Sequence, residues 1–279
     1  MTVRIITGDA LQVLGGLGDQ TFDCVVTSPP YWTQRDYGVE GQIGLEATIE
    51  EHLDRLSEVL GEVRRVLRRD GNLWLNYGDA YNTCNGGQSP NAFRLFLRKR
   101  GRQPVLATGF GLKTKTVKRK SLMGLPWRLA LRLEAEGWYL RSDVIWRKPN
   151  PVECSDVGRP KKAHEYVFLL AKSEMNFFRG SSESVWEFAP EHVRGHPAPF
   201  PQALVRRCLE LGCRPGGQVL DPFGGSGTVG LVADQLGLDA TLIDLNPEYS
   251  EIARRRIYED APLLTDVTVV RATEGRRTP

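Results

Sequence analysis

The sequence predicts an α/β fold of the doubly wound kind, with a mostly parallel sheet. Short apolar segments rich in β-branched residues alternate along the chain with longer segments whose apolar residues recur at helical spacing. Seven segments have the character of strands: VRIIT, FDCVVTS, NLWLNYGD, LRSDVIWRK, EYVFLLA, QVLDPF and ATLIDL. Strands joined by helix-length connections pair in parallel, because the crossover returns each strand to the same end of the sheet.

The connecting segments include three clear helices. Residues 49–71, IEEHLDRLSEVLGEVRRVLRRDG, have apolar positions at helical spacing, and basic residues followed by Gly71 mark the predicted end. LPWRLALRLEAEG and FPQALVRRCLELGC show the same spacing. Two other segments, residues 80–121 and 148–199, lack this periodicity and exceed the length of ordinary connections. Such segments are usually functional or disordered.

Composition excludes several classes of protein. The chain has 279 residues and a net charge of +3, and its apolar runs are shorter than the roughly 20 residues of a membrane span. It opens without the basic and apolar pattern of a secretion signal. Its five cysteines, Cys24, Cys84, Cys154, Cys208 and Cys213, contain no CxxC pair. We therefore expect a cytoplasmic protein with neither a disulfide framework nor a metal site.

The charge is unevenly distributed. No carboxylate lies between Asp79 and Glu134, whereas the same interval holds twelve lysines and arginines. These positive charges exceed the net charge of the whole chain, so the remainder is acidic. A segment of this kind favours binding of a polyanion, although a solvated basic loop without a partner would look the same.

The segment QVLDPFGGSGTVGLVADQLG begins with the sixth predicted strand and continues into a glycine-rich turn. Gly225, Gly227 and Gly230 match the pattern GxGxxG, and Asp244 ends the next predicted strand. Glycines allow close approach of a nucleotide, and a carboxylate at that strand end accepts hydrogen bonds from ribose hydroxyls. The pattern alone suits a nicotinamide cofactor as well as any other that carries adenosine.

The residues before these glycines favour one cofactor. Asp221 and Phe223 place an acid and an aromatic ring at the strand end. An acid attracts the ammonium group of S-adenosylmethionine and repels the pyrophosphate of a nicotinamide dinucleotide. The structural alternatives are that Asp221 caps the following helix and that Phe223 covers the core.

A second unusual segment, TSPPYW, follows the strand FDCVV. Pro29 and Pro30 stiffen the backbone and remove two N–H donors, which leaves carbonyl groups free to accept hydrogen bonds. Ser28 adds a hydroxyl, and Tyr31 and Trp32 add flat aromatic faces. A planar substrate with an amino group, such as a nucleobase, would satisfy these groups together. The alternative is a rigid turn whose aromatic rings cover the edge of the sheet.

Together the two motifs resemble those of amino-methylating DNA methyltransferases of the β arrangement, in which the catalytic motif precedes the cofactor motif. The resemblance implies a Rossmann-like methyltransferase fold with a seven-stranded sheet, in which EYVFLLA is the antiparallel strand. It implies a single catalytic domain over residues 1–279, with 80–121 as a basic insertion and 148–199 as a DNA-recognition segment. IWRKPNP and KKAHEYVFLLAKS resemble the family's strands around the pocket of the target base.

The resemblance also assigns roles to individual residues. By similarity the catalytic residues are Ser28, Pro29, Pro30 and Tyr31. The residues that would contact S-adenosylmethionine are Asp9, Phe200, Pro201, Asp221, Phe223, Gly225, Gly227 and Asp244. The basic run KTKTVKRK supplies the candidate DNA contacts Lys113, Lys115, Lys118, Arg119 and Lys120.

The expected reaction is methylation of an exocyclic amine in double-stranded DNA, after the base has been flipped out of the helix. Serine at the first position of the catalytic loop is typical of family members that act on N4 of cytosine, but N6 of adenine, in DNA or RNA, stays open. We expect sequence specificity and, as a possible partner, a restriction endonuclease; the protein would be a monomer or a homodimer. A nucleic-acid-binding module without activity and a nicotinamide oxidoreductase are the remaining alternatives.

Overall fold

A nine-stranded sheet organises the described part of the chain. The computed structural model describes residues 1–82, 116–151, 158–191, 193, 200–261 and 266–272. The strands are β1 (Thr2–Thr7), β2 (Phe22–Thr27), β3 (Leu67–Tyr77), β4 (Tyr139–Arg147), β5 (His164–Ala171), β6 (Val185–Glu187), β7 (Gln218–Asp221), β8 (Asp239–Asp244) and β9 (Asp266–Arg271). The helices are α1 (Ala10–Gly15), α2 (Ile49–Val66), α3 (Leu125–Ala135), α4 (Gln202–Gly212), α5 (Thr228–Gln235) and α6 (Pro247–Asp260).

The sheet has the order β6-β4-β5-β3-β2-β7-β8-β1-β9. All seven predicted strands are present, and β5 runs antiparallel to both of its neighbours, β3 and β4, whereas every other pairing is parallel. The α/β fold and the antiparallel strand are therefore confirmed. The sheet is wider than predicted, because β6 and β9 add to its two edges. β6 has only three residues and β9 is largely exposed, so neither shows an apolar strand pattern.

Helices cover both faces of the sheet. One apolar cluster joins residues of α1, α2 and α3 to the sheet, and a second joins α4, α5 and α6 to the opposite face. Successive side chains of a strand point to opposite faces of the sheet. In β2, Val25 therefore packs in the first cluster and Val26 in the second. Among the described residues, no helix combines the length and apolar character that a membrane crossing requires.

The second helix is shorter than predicted. It begins at a capping box, in which the Thr48 side chain and the Glu51 side chain each accept from the other's backbone N–H. It ends at Val66, and Leu67 takes extended backbone angles and pairs with Phe22 of β2. The residues LRRDG thus begin β3 instead of finishing α2. Strand pairing outweighs the helical spacing here, and Lys172 Nζ donates to the backbone carbonyl of Leu67 at 2.7 Å.

The topology gathers several strand ends at one edge. β1, β2, β7 and β8 are parallel neighbours or near neighbours, so their carboxyl ends meet there. In open α/β sheets this edge is where ligands bind. Because β5 is antiparallel, its first residues lie at the same edge, where Val167 is paired with Asn76 and Tyr166 with Tyr77 of β3.

Gly227 has a packing role at the start of α5. Its φ of +79° lies in the left-handed region, and a Cβ built there would stand 2.7 Å from the Cβ of Ala253 in α6. We predict that Gly227→Ala lowers the free energy of unfolding by roughly 2 kcal/mol or more, because it combines backbone strain with overpacking. Urea unfolding followed by circular dichroism measures this loss.

Gly61→Ala is the matched control. Gly61 lies within α2, and an added Cβ would meet nothing within 4 Å. Alanine there should stabilise the helix by about 0.5–1 kcal/mol. Equal changes in the free energy of unfolding for Gly227→Ala and Gly61→Ala would contradict the packing role of Gly227.

Candidate active site

A cavity of about 340 Å³ opens at the carboxyl edge of the sheet. Its wall includes residues from the ends of β1, β2, β7 and β8, together with the first residues of β5 and the last of β4. Nine residues assigned from sequence line it: Asp9, Ser28, Pro29, Pro30, Tyr31, Phe200, Phe223, Gly225 and Asp244. The two motifs recognised in the sequence therefore face one shared space.

Asp244 shapes the glycine loop from the end of β8. Its carboxylate accepts from the backbone N–H groups of Gly225 and Asn246, each at 2.7 Å. Burial raises the pKa of Asp244 to about 6, and these two hydrogen bonds oppose the rise. Each carboxylate oxygen retains a lone pair, so a hydroxyl that enters the cavity can still donate to it.

Asp221 is buried completely at the end of β7. Its Oδ1 accepts from Thr27 Oγ1 at 2.7 Å and from the backbone N–H of Phe223 at 3.0 Å, whereas its Oδ2 has no hydrogen-bond partner within the described ranges. Burial raises its pKa to about 7. Asp221 does not cap the next helix, since α5 begins after Gly227. A buried acceptor of this kind fits a cationic ligand group, such as an ammonium.

The remaining residues of the predicted cofactor set differ in their positions. The Asp9 side chain caps α1 by accepting from the N–H of Gln12 at 3.0 Å, and it also lines the cavity. Asp221, Pro201 and Gly227 do not line it; Pro201 precedes the first turn of α4. Gly230 lies within α5, where a Cβ would meet Leu242. Of the GxGxxG glycines, only Gly225 faces the cavity, and the other two allow packing.

Tyr31 is held from several sides. Its hydroxyl donates to Glu165 Oε2 at 2.9 Å, and Asn76 Oδ1 lies 3.3 Å away. Its ring meets that of Tyr77 edge to face, with centroids 4.9 Å apart. Burial, together with the negative charge of Glu165, raises the pKa of the Tyr31 hydroxyl well above its ordinary value. The hydroxyl therefore stays protonated, and the ring is fixed at the cavity wall.

Three further residues line the cavity near Tyr31: Trp146, Lys148 and Glu165. The sequence analysis did not single them out individually. Lys148 Nζ lies 2.5 Å from Glu165 Oε1 and 4.5 Å from the ring centre of Trp146, and all three side chains line the cavity. Burial alone would raise the pKa of Glu165, but the charge and hydrogen bond of Lys148 outweigh it and lower the pKa. The available signal in the sequence was a pair of opposite charges at strand ends: Lys148 follows β4, and Glu165 lies near the start of β5.

Trp32 does not supply the exposed face expected of it. It is 1% exposed, and its indole N–H donates to the backbone carbonyl of Glu46 at 3.0 Å. The loop that follows also lines the cavity through Arg35 and Tyr37. Tyr37 contacts Tyr249 of α6 edge to face. Sequence reasoning missed this loop because it has no motif of its own.

The basic run is only partly described. Lys113 and Lys115 lie outside the described residues. Lys118, Arg119 and Lys120 are exposed on the turn that precedes α3, and none of the three lines the cavity. Their exposure is compatible with contact to a large polyanion.

A family model described as DNA methylase, covering N6 and N4 methyltransferases, matches residues 22–255. The chain belongs to this DNA methylase family. The match extends from the start of β2 into α6 and so includes both motifs and the cavity between them.

Curated relatives cover nearly the whole chain. The type II methyltransferase M.SmaI of Serratia marcescens is 43% identical over 271 residues, which are 91% of this chain and 90% of that protein. The type II methyltransferase M.Cfr9I of Citrobacter freundii is 42% identical over 267 residues, or 91% and 87%. Type II methyltransferases therefore match about nine tenths of this chain.

Solved structures share the fold. The Thermus thermophilus protein TTHA0409, in complex with S-adenosyl-L-methionine, matches with a TM-score of 0.70 and 25% identity over 98% of this chain and 99% of that chain. The PvuII DNA methyltransferase, which is cytosine-N4-specific, gives a TM-score of 0.69 at 20% identity over 95% of both chains. The latter likeness shows the Rossmann-like methyltransferase fold alone.

The raised pKa values of Asp221 and Asp244 predict a pH dependence of stability. Unfolded aspartate titrates near pH 4, so between about pH 4 and pH 7 the folded protein binds more protons than the unfolded chain. The contribution of these two groups to the free energy of unfolding therefore decreases as pH rises through that window. We expect the ligand-free Asp221→Asn variant to lose less stability than the parent protein between pH 5 and pH 7.5, as measured by urea unfolding.

Asp54→Asn, at an exposed position of α2, is the control and should keep the parent's pH profile. An Asp221→Asn profile that runs parallel to the parent's would show that Asp221 is not the group responsible.

Proposed function

We propose that this methylase transfers a methyl group from S-adenosylmethionine to the exocyclic N4 amine of cytosine in double-stranded DNA. One observation carries the proposal: the TSPPY loop after β2 and the glycine loop after β7 line the same cavity. A cofactor held by one loop and a base held by the other would lie close enough to react. Proximity of this kind supplies much of the rate enhancement in such transfers.

The cofactor half of the cavity suits S-adenosylmethionine. Asp244 offers carboxylate lone pairs to ribose hydroxyls. Asp221 does not line the cavity, but it directly precedes the lining residue Pro222, and we assign its unpartnered Oδ2 to the ammonium group. Phe223 and Phe200 add aromatic surface. When bound, S-adenosylmethionine supplies an electrophilic methyl group on a sulfonium. The relative TTHA0409 binds this cofactor within the same fold.

The base half suits a flipped nucleobase. The ring of Tyr31 offers a stacking face, and Ser28 and the stiff Pro29 backbone offer acceptors to an amine. These acceptors strengthen the amine as a nucleophile, because its lone pair is otherwise delocalised into the base. With S-adenosylmethionine bound, its sulfonium would give up the methyl carbon to the amine nitrogen and leave as the neutral thioether. Ser28 and the Pro29 carbonyl would hold the amine, and the proton that the amine loses would pass to solvent.

Ser28 supports cytosine as the target base. Serine at this position is typical of family members that methylate N4 of cytosine, and the cytosine-N4-specific PvuII enzyme shares the fold. Recognition of a specific sequence and contact with phosphates would fall to the segments 80–121 and 148–199, with the basic run as the phosphate contact. The relatives are type II methyltransferases, which supports a partnership with a restriction endonuclease.

The first test is methyl transfer from labelled S-adenosylmethionine to duplex DNA of mixed sequence, followed by digestion and identification of the nucleosides. Label on N4-methylcytosine is the expected result. Label on N6-methyladenine would keep the mechanism and overturn the role given to Ser28. No label on DNA, with label on RNA in a parallel reaction, would overturn the substrate class. Calorimetric heat with a nicotinamide dinucleotide but none with S-adenosylhomocysteine would overturn the cofactor.

Tyr31→Ala tests the stacking role. The variant should lose roughly 1–3 kcal/mol of base stacking, which appears as a loss in kcat/KM for DNA. Its affinity for S-adenosylhomocysteine, measured by calorimetry, should stay near the parent value. A large loss of cofactor affinity would instead show that Tyr31 serves the cofactor.

Asp244→Asn is the reciprocal variant. It keeps the shape of the side chain but removes its charge and half of its acceptor capacity, so cofactor affinity should fall several-fold. Normal affinity for S-adenosylhomocysteine would remove Asp244 from the cofactor site.

A further inference from the structure

A buried polar chain lies directly beneath the TSPPYW loop. His52 of α2 is 0% exposed, and both of its ring nitrogens have partners. Nδ1 lies 2.8 Å from Glu46 Oε2, and Nε2 lies 2.7 Å from the hydroxyl of Tyr77 in β3. None of these three side chains belongs to a recognised motif. Buried polar groups are costly to desolvate, so a linked set of them calls for a structural reason.

The direction of one hydrogen bond follows from the chemistry of the groups. The charge and hydrogen bond of His52, together with backbone N–H groups, hold the pKa of Glu46 below its ordinary value although burial opposes them. The ionised carboxylate only accepts, so Nδ1 of His52 carries the proton and donates it. Nε2 and the Tyr77 hydroxyl share the second hydrogen bond, at 2.7 Å.

One end of this chain contacts a residue of the cavity wall, and the other end closes the loop that follows that residue. The Tyr77 ring packs edge to face on Tyr31, which lines the cavity. At the other end, the Glu46 carboxylate accepts from the N–H of Gly44 at 2.9 Å, and its backbone carbonyl accepts from the indole of Trp32. Imidazole is well suited to join the two ends, since its two ring nitrogens each hold one partner from different sides of a rigid ring.

The loop that runs from Trp32 to Glu46 is closed by the same contacts. The N–H of Thr33 donates to the carbonyl of Gly44 at 2.8 Å, and a Cβ built on Gly44 would lie 3.2 Å from the carbonyl oxygen of Tyr31. The far end of the loop thus folds back against the catalytic segment. Between these ends the loop presents Arg35 and Tyr37 to the cavity.

We propose that His52 is a positioning residue, which sets the orientation of Tyr31 by tying Tyr77 to the end of the loop at Glu46. His52 does not line the cavity and acts only through its two partners. The inference rests on the proposed function, in which Tyr31 stacks on the target base. Loss of the imidazole leaves the Tyr77 hydroxyl and the Glu46 carboxylate without their shared partner, so both the Tyr31 ring and the loop gain freedom.

Two variants test this role in the full-length protein. Tyr77→Phe keeps the ring that packs on Tyr31 and removes only the hydroxyl, and His52→Gln removes the bridge between the two ends. For both, kcat for DNA methylation should fall about 10- to 100-fold, in line with misplacement of a reacting group. Affinity for S-adenosylhomocysteine should change less than about twofold. The effects of the two substitutions on kcat should be non-additive, so that kcat of the double variant is close to that of the slower single variant.

Hydrogen exchange gives a readout that does not depend on catalysis. Backbone amides of residues 28–46 should exchange at least about tenfold faster in both variants, because the loop loses its anchor. Ser57→Ala is the matched control: Ser57 is another buried polar residue of α2, but it bonds to Glu136 of the segment after α3. It should leave both the exchange of 28–46 and kcat unchanged.

The outcomes separate the two proposals. Parent-like kcat and exchange in Tyr77→Phe and His52→Gln would overturn the positioning role. Uniformly faster exchange across the whole protein would do the same, since it would indicate general destabilisation. Failure of the parent protein to methylate DNA would overturn the proposed function, whereas the exchange experiment would still test whether His52 anchors the loop.

Discussion

The site depends on one hydrogen bond between neighbouring strands. Thr27 at the end of β2 and Asp221 at the end of β7 are both fully buried, and their side chains meet at 2.7 Å. The TSPPY loop leaves the sheet directly after Thr27, and the glycine loop leaves it directly after Asp221. Together with the parallel pairing of β2 and β7, this bond fixes the starting points of the two loops relative to each other.

The same bond explains the unusual electrostatics of Asp221. One oxygen is used to join the loops, and the other has no hydrogen-bond partner among the described residues. A carboxylate without solvent and with half of its acceptors unused is unfavourable in its charged form. A cationic ligand group that reached the unused oxygen would lower this cost.

The fold could be predicted from the sequence because most of the seven central strands carry a short apolar run, such as CVV in β2, LWL in β3 and VFLLA in β5. β6 and β9 could not, since edge strands bury little and so need no such pattern. Within the site, Ser28, Tyr31 and Asp244 were found because they belong to motifs with fixed spacing. Glu165 and Lys148 were not singled out as residues, although the resemblance placed their segments around the target-base pocket, because only the antiparallel return of β5 beside β4 brings the two side chains together. The loop around Tyr37 was missed because it has no motif of its own. Gly227 matched a ligand motif, but its conformation serves the packing of α6.

The position of β1 has a consequence for synthesis of the protein. This strand lies between β8 and β9, so residues near the start of the chain pair with residues near 240 and 266. At roughly 5–20 residues per second, a ribosome delivers those partners on the order of ten seconds or more after β1 has emerged. During that interval both edges of an apolar strand containing Ile5 and Ile6 are unpaired, a condition that promotes association with other chains. The pairing of β1 with β8 and β9 is therefore a late event in folding. Before it, the nascent chain has its greatest need of chaperone protection.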